Sequence, residues 1–74
     1  MTESLGKTVR ERRRQLRLTQ QDVSDLSGVS VRFLHDLEHD KPSVRMDVVL
    51  AALDTLGLEL QLTVRTPTAQ EKVR

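Results

Sequence analysis

Residues 19–38, TQQDVSDLSGVSVRFLHDLE, constrain the fold more than any other part of the chain. Thr19 stands where a helix N-cap belongs, and Asp22 three residues on gives a pattern close to a capping box, whose usual partner is Glu or Gln. Val23 and Leu26 supply the inner face of the helix that Thr19 opens. Gly28 offers the positive φ that ends it, and Ser30 is placed to cap another helix from Val31 to about Glu38. Two helices joined by SGVS cannot be collinear, so the chain turns a corner here. On the second of them Leu34 and Leu37 point inward, Arg32 and His39 lie opposite, and His35 and Asp36 lie beside those two.

The flanking segments complete a helical domain. Leu5, Val9 and Leu16 fall within a narrow arc of a helix spanning about 4–17, and Arg12 falls in the same arc, where a bare guanidinium must snorkel outward or meet a carboxylate. HDKPS is a turn, because Pro42 disfavours helix at the residue before it, and Ser43 can cap the next helix. Met46, Val49, Leu50, Leu53 and Leu56 keep helical spacing over about 45–56, with Gly57 as a C-cap glycine. The period then changes from 3.6 to 2: Leu58, Leu60, Leu62 and Val64 alternate with polar residues, which predicts a strand. A lone strand leaves backbone groups unpaired, so a twofold dimer in which this segment pairs antiparallel with its own copy is expected. The expected fold is mainly α, four helices plus this strand. Its divisions are a flexible start over 1–3, a domain over 4–57, a dimerisation strand over 58–65 and a disordered tail over 66–74.

At 74 residues the chain makes one domain with a small core, which calls for a supplement. The absence of cysteine excludes disulfides, and two histidines make a structural zinc site a poor candidate, which again favours oligomerisation. No apolar run reaches the roughly 20 residues needed to cross a bilayer, and MTESLGKTVRERRR lacks the apolar core of a signal peptide, so a cytoplasmic location is expected.

The net charge is only +1, but Lys7, Arg10, Arg12, Arg13, Arg14 and Arg17 face a single acid, Glu11, in the first helix, and acids predominate from Leu18 to Arg65. Such a basic patch suits nucleic acid, and it equally suits a solvated helix face or the acidic surface of a protein partner. His35, Glu38 and His39 form the string H-x-x-E-H of inverted zinc proteases. A chain this short offers little room for a third ligand or a water-excluding cavity. No nucleophile with a positioned base and no glycine-rich phosphate loop accompanies it, so neither an enzyme nor a cofactor or metal is expected.

The corner suits a different task. A short helix projecting from a glycine corner can enter a major groove roughly 12 Å wide, while the N-terminus of the helix before it offers free amides to a phosphate. LTQQDVSDLSGVSVRFLHDLE closely resembles the Xre/lambda-repressor-like helix-turn-helix family, over Leu5 to about Leu58. That resemblance implies base reading by Ser30, Val31, Arg32, His35 and Asp36, and backbone contacts by Thr19, Gln20, His39 and Lys41. It also implies a buried ion pair of Arg13 with Glu38, although helical geometry puts Arg12 nearer the apolar arc. Asp40 departs from the pattern, which usually has glycine there. Asp36 repels phosphate but can accept from a cytosine amino group, and Arg32 is suited to guanine.

The longer string LEHDKPSVRMDVVLAALDTLGLELQLTV looks like HipB-type antitoxins. That likeness implies dimers joined through Leu58, Leu60, Leu62 and Val64, repression of their own operon at inverted repeats in duplex DNA, and restraint of a HipA-type kinase toxin. A stand-alone Xre-type regulator with no toxin shares every one of these features except the toxin.

Overall fold

A computed structural model describes residues 4–64 and 66–68 of the chain. The start at 1–3, Arg65 and the tail over 69–74 lie outside the described residues. Four helices follow one another: α1 (Leu5–Gln15), α2 (Gln20–Ser27), α3 (Val31–Glu38) and α4 (Met46–Thr55). Each boundary has a local cause. Ser4 accepts from the Lys7 amide to start α1. α2 opens on a complete capping box, in which Thr19 Oγ1 accepts from the Asp22 amide at 3.0 Å and the Asp22 carboxylate accepts from the Thr19 amide at 2.8 Å. Aspartate does here what glutamate usually does, and hydrogen bonding from Thr19, first its backbone amide and then its side chain, holds the Asp22 carboxyl below the usual carboxylate range. Gly28 closes α2 at φ 78°, and Ser30 Oγ accepts from the Phe33 amide to open α3.

Two boundaries differ from the sequence expectation. The first helix closes at Gln15 rather than 17, because Arg17 takes the left-handed conformation at φ 58° and the Leu18 amide reaches back to the Arg13 carbonyl at 3.1 Å. Ser43 does not cap the fourth helix: its N-cap is Arg45, which makes no capping bond through its side chain. The Arg45 guanidinium instead pairs with Asp47 at 2.7 Å.

The core joins all four helices through Val9, Val23, Val29, Leu34, Leu37, Val49, Ala52, Leu53 and Leu56, with Leu18, Phe33, Val44, Val48 and Leu58 packed around them. Leu26 is a correction, since 67% of it is exposed. Val29, just past the glycine corner, takes the core place that Leu26 does not fill. Leu5 and Leu16 lie only at the margin of the core, and Met46 and Leu50 face outward on α4.

α1 meets the end of α3 at backbone distance. A Cβ built on Gly6 would lie 2.5 Å from the Leu37 carbonyl oxygen and 2.7 Å from that of Glu38. The Gly6 amide donates to Asp40 Oδ1 at 2.8 Å. Asp40 itself has φ 56°, so the position that the family pattern gives to glycine keeps a glycine-like backbone here, and its carboxylate caps α1. Gly57 closes α4 at φ 69°, with the Leu58 amide donating to the Leu53 carbonyl at 2.8 Å. Beyond it, residues 58–64 form no ladder with any other described residue. Leu58 packs on the core, while Leu62 and Val64 are fully exposed.

Candidate nucleic-acid interface

The solvent face of α3 is set by what its other face must do. Leu34, Leu37 and Glu38 turn into the protein, each at most 3% exposed. Taking about 100° per residue, Arg32, His35, Asp36 and His39 then occupy one arc of roughly 100° on the opposite side. Arg32, His35 and His39 are exposed and Asp36 is half-buried. At the N-terminal end of this arc Ser30 is exposed but engaged as the cap, and Val31 is half-buried.

Local contacts order that face. The His35 and His39 rings stack with centroids 4.1 Å apart, and His39 Nδ1 lies 2.7 Å from the His35 carbonyl oxygen. Asp36 lies between two cations or potential cations, with Lys41 Nζ at 3.6 Å and His35 Nδ1 at 3.9 Å. The Lys41 amide also donates to the Asp36 carbonyl at 3.0 Å. Lys41 therefore sits against the C-terminal end of α3. Its ammonium partly neutralises the one acid of this face. Arg32 makes no side-chain bond with any other described residue.

Behind this face lies a buried charge. The side chain of Glu38 is 1% exposed, and Arg13 embraces it from α1, with Nε to Oε2 at 2.7 Å and a second nitrogen to Oε1 at 2.9 Å. A third Arg13 donor bonds the Leu18 carbonyl at 2.8 Å, tying the α1–α2 link to the same point. Gln20 Nε2 donates to Glu38 Oε1 at 3.3 Å. Burial pushes the Glu38 carboxyl up, but the bonds from Arg13 and Gln20 and the charges of Arg13 and Arg10 outweigh it and hold the group below the usual range. The same bond raises the Arg13 guanidinium above its ordinary value. Arg12 points elsewhere, its Nε donating to the Leu56 carbonyl at the end of α4 at 2.9 Å. An arginine thus serves an orphan carbonyl of a helix C-terminus, where positive charge is favoured.

Gln20 is half-buried at the start of α2, with the buried carboxylate behind it. Its amide carries two hydrogens, and the bond to Glu38 uses one. Thr19 beside it is exposed, with its hydroxyl oxygen committed to the cap.

The H-x-x-E-H string does not converge. Glu38 is turned inward to Arg13 while the two histidines stack at the surface. Among the described residues no three of His, Cys, Asp and Glu are placed to hold a metal ion. No helix among them is long and apolar enough to cross a membrane.

Gly6 and Asp40, which fix the angle between α1 and α3, have no role that residue spacing reveals. The glycine usual at the position of Asp40 was the available signal, because it marks a positive φ. Nothing local marked Gly6, whose constraint comes from a carbonyl more than thirty residues away.

Comparison with known proteins agrees with this arrangement. A family described as helix-turn-helix domain matches residues 4–65. The chain is also similar to an uncharacterized HTH-type transcriptional regulator, y4mF, of Sinorhizobium fredii (strain NBRC 101917 / NGR234). The two are 36% identical over 58 residues, which make up 78% of this chain and 76% of that protein. With the capped α2, the glycine corner and the outward arc of α3 inside the matched region, this chain belongs to the helix-turn-helix domain family.

Proposed function

We propose that this protein is a sequence-specific transcriptional repressor that binds double-stranded DNA as a homodimer in the bacterial cytoplasm. The observation that carries the reading is the outward arc of α3, with Arg32 unengaged at its N-terminal end and the rear of the helix fixed to α1 through Glu38. Arg32 reads guanine through two parallel hydrogen bonds, Asp36 accepts from cytosine, and Ser30, Val31 and His35 complete the base contacts. Thr19, Gln20, His39 and Lys41 hold the sugar-phosphate backbone.

Dimerisation rests on residues 58–64. Leu62 and Val64 are fully exposed on a segment that alternates apolar and polar residues. Antiparallel pairing with a second copy satisfies its backbone and gives the two reading helices a twofold relation, and hence an inverted-repeat operator. The likeness of residues 37–64 to HipB-type antitoxins supports the further step that the repressor governs a toxin operon and restrains a HipA-type kinase.

An operator titration across a base-substitution series tests the reading. Arg32→Ala removes discrimination at one position, worth roughly 1–3 kcal/mol for a bidentate contact. Equal weakening on every sequence refutes base reading by Arg32. The antitoxin role stands on co-purification with a kinase encoded beside it and fails if no such partner is retained.

A further inference from the structure

The structure sorts the cations of α1 and of the link that follows it into two groups. Arg12 is committed to the Leu56 carbonyl and Arg13 to Glu38. Lys7, Arg10, Arg14 and Arg17 remain, and no side-chain hydrogen bond or ion pair joins any of them to another described residue. Lys7, Arg14 and Arg17 are exposed and Arg10 is half-buried. At about 100° per residue, Lys7, Arg10 and Arg14 lie within roughly 60° of one another. Their stripe flanks the side of α1 that carries Arg13 toward α3, and Glu38 feels the charge of Arg10. Past the end of α1 the exposed Arg17 follows, two residues before Thr19, the N-cap of α2.

Arg17 continues the set of unengaged cations past the end of α1. It holds a left-handed backbone at φ 58°, a conformation that glycine adopts without strain and other L-residues resist. The other such residue, Asp40, has an internal reason, the bond that caps α1. Arg17 has one as well, the close of α1, where the Leu18 amide donates to the Arg13 carbonyl at 3.1 Å, but its exposed side chain takes no part in that bond. The reading face is also poor in charge: Arg32 is unengaged, and Lys41 is partly neutralised by Asp36. Phosphate contacts supply most of the affinity of a protein for duplex DNA, and the reading face has few cations to make them.

We propose that Lys7, Arg10, Arg14 and Arg17 form a track for the DNA sugar-phosphate backbone, extending the contact from the start of α2 along α1. The proposal rests on the duplex-binding function proposed for α3 and adds a sequence-independent surface to it. An acidic protein partner is the competing occupant. The backbone is favoured because the stripe leads into the start of α2, beside Gln20 and the Glu38 cluster at the rear of the reading helix.

The test uses the full chain, a long mixed-sequence duplex and polyglutamate as probes, with binding measured over a range of salt concentrations. Arg17→Gly is the decisive variant, because it relieves the left-handed strain. It raises the melting temperature and yet weakens duplex binding about fivefold near 0.1 M salt, with the slope of log K against log salt shallower by about 0.9. A merely structural Arg17 would give the first change without the second. Replacing Lys7, Arg10 and Arg14 together by Gln lowers the slope further, by about 0.9 for each phosphate no longer neutralised. Unchanged slopes in a wild type that binds DNA overturn the track and leave the base-reading helix standing. A wild type with no salt-dependent duplex binding overturns both. Polyglutamate bound as tightly as the duplex, and weakened equally by the variants, overturns the track in favour of an acidic protein partner.

Discussion

Glu38 is the residue whose loss should cost the fold most for the fewest atoms removed. Glu38→Ala leaves the Arg13 guanidinium, on a side chain only 12% exposed, with the Leu18 carbonyl as its one remaining acceptor. It also strips Gln20 of its partner. Removing one member of a buried pair costs roughly 3–5 kcal/mol. Because Arg13 keeps one acceptor and a little solvent contact, the lower end, about 3 kcal/mol, is expected here. At roughly 0.05–0.15 kcal/mol per residue, a domain of this size has about 4–11 kcal/mol in all. The variant therefore loses about a quarter or more of its stability, and its melting temperature falls by about 12 °C or more. Urea unfolding followed by helical circular dichroism measures the loss, and an unchanged denaturant slope shows that the unfolded reference is the same. A double-mutant cycle with Arg13→Leu and Glu38→Leu separates the pair from its surroundings. The double variant should recover much of what either single change loses, because an apolar pair needs no desolvation of charge. A loss below about 1 kcal/mol for Glu38→Ala, or a coupling near zero, refutes the claim that this ion pair joins the two helices.

Gly6→Ala should destabilise the protein by about 1–3 kcal/mol, because the new methyl meets the Leu37 and Glu38 carbonyl oxygens, which are backbone and cannot swing away; a melting temperature equal to wild type refutes it. The same carbonyls make Gly6→Ala unlike an ordinary helical Gly→Ala change, which stabilises. Acid should unfold the protein through Glu38. Its folded carboxyl is held below the unfolded value near 4.3, so the stabilisation is complete above that pH and is lost as pH falls through the lower, folded value. The melting temperature should be level from neutrality to about pH 5 and drop below about 4.3, with a shallower drop in Glu38→Gln; equal drops in both proteins reject this assignment. Deleting residues 58–74 should yield a folded monomer that binds operator DNA far more weakly, and sedimentation showing an intact dimer would remove the case for strand pairing.

Features that depend on neighbours a few residues away are legible from the order of the amino acids. The capping of α2 and α3, the glycine corner between them, the close of α4 at Gly57 and the outward arc of α3 come from local hydrogen bonding, backbone sterics and helical period. The alternation after Gly57 is equally local, and residues 58–64 pair with no other described residue. Meetings between distant residues, by contrast, follow from how the helices pack. Helical geometry alone put Arg12 nearer the core than Arg13. The packing of α1 across α3 brings Arg13 to Glu38 and leaves Arg12 at the end of α4. Packing also set Val29 in the core and left Leu26 in water, because the corner, not the periodicity of α2, decides which side chain reaches the interior. The roles of Gly6 and Asp40 arise where two backbones touch more than thirty positions apart, a distance over which residue spacing carries no information. The division of the five cations of α1, and of Arg17 just past its end, between those the fold uses and those it displays is likewise a property of what packs beside that helix.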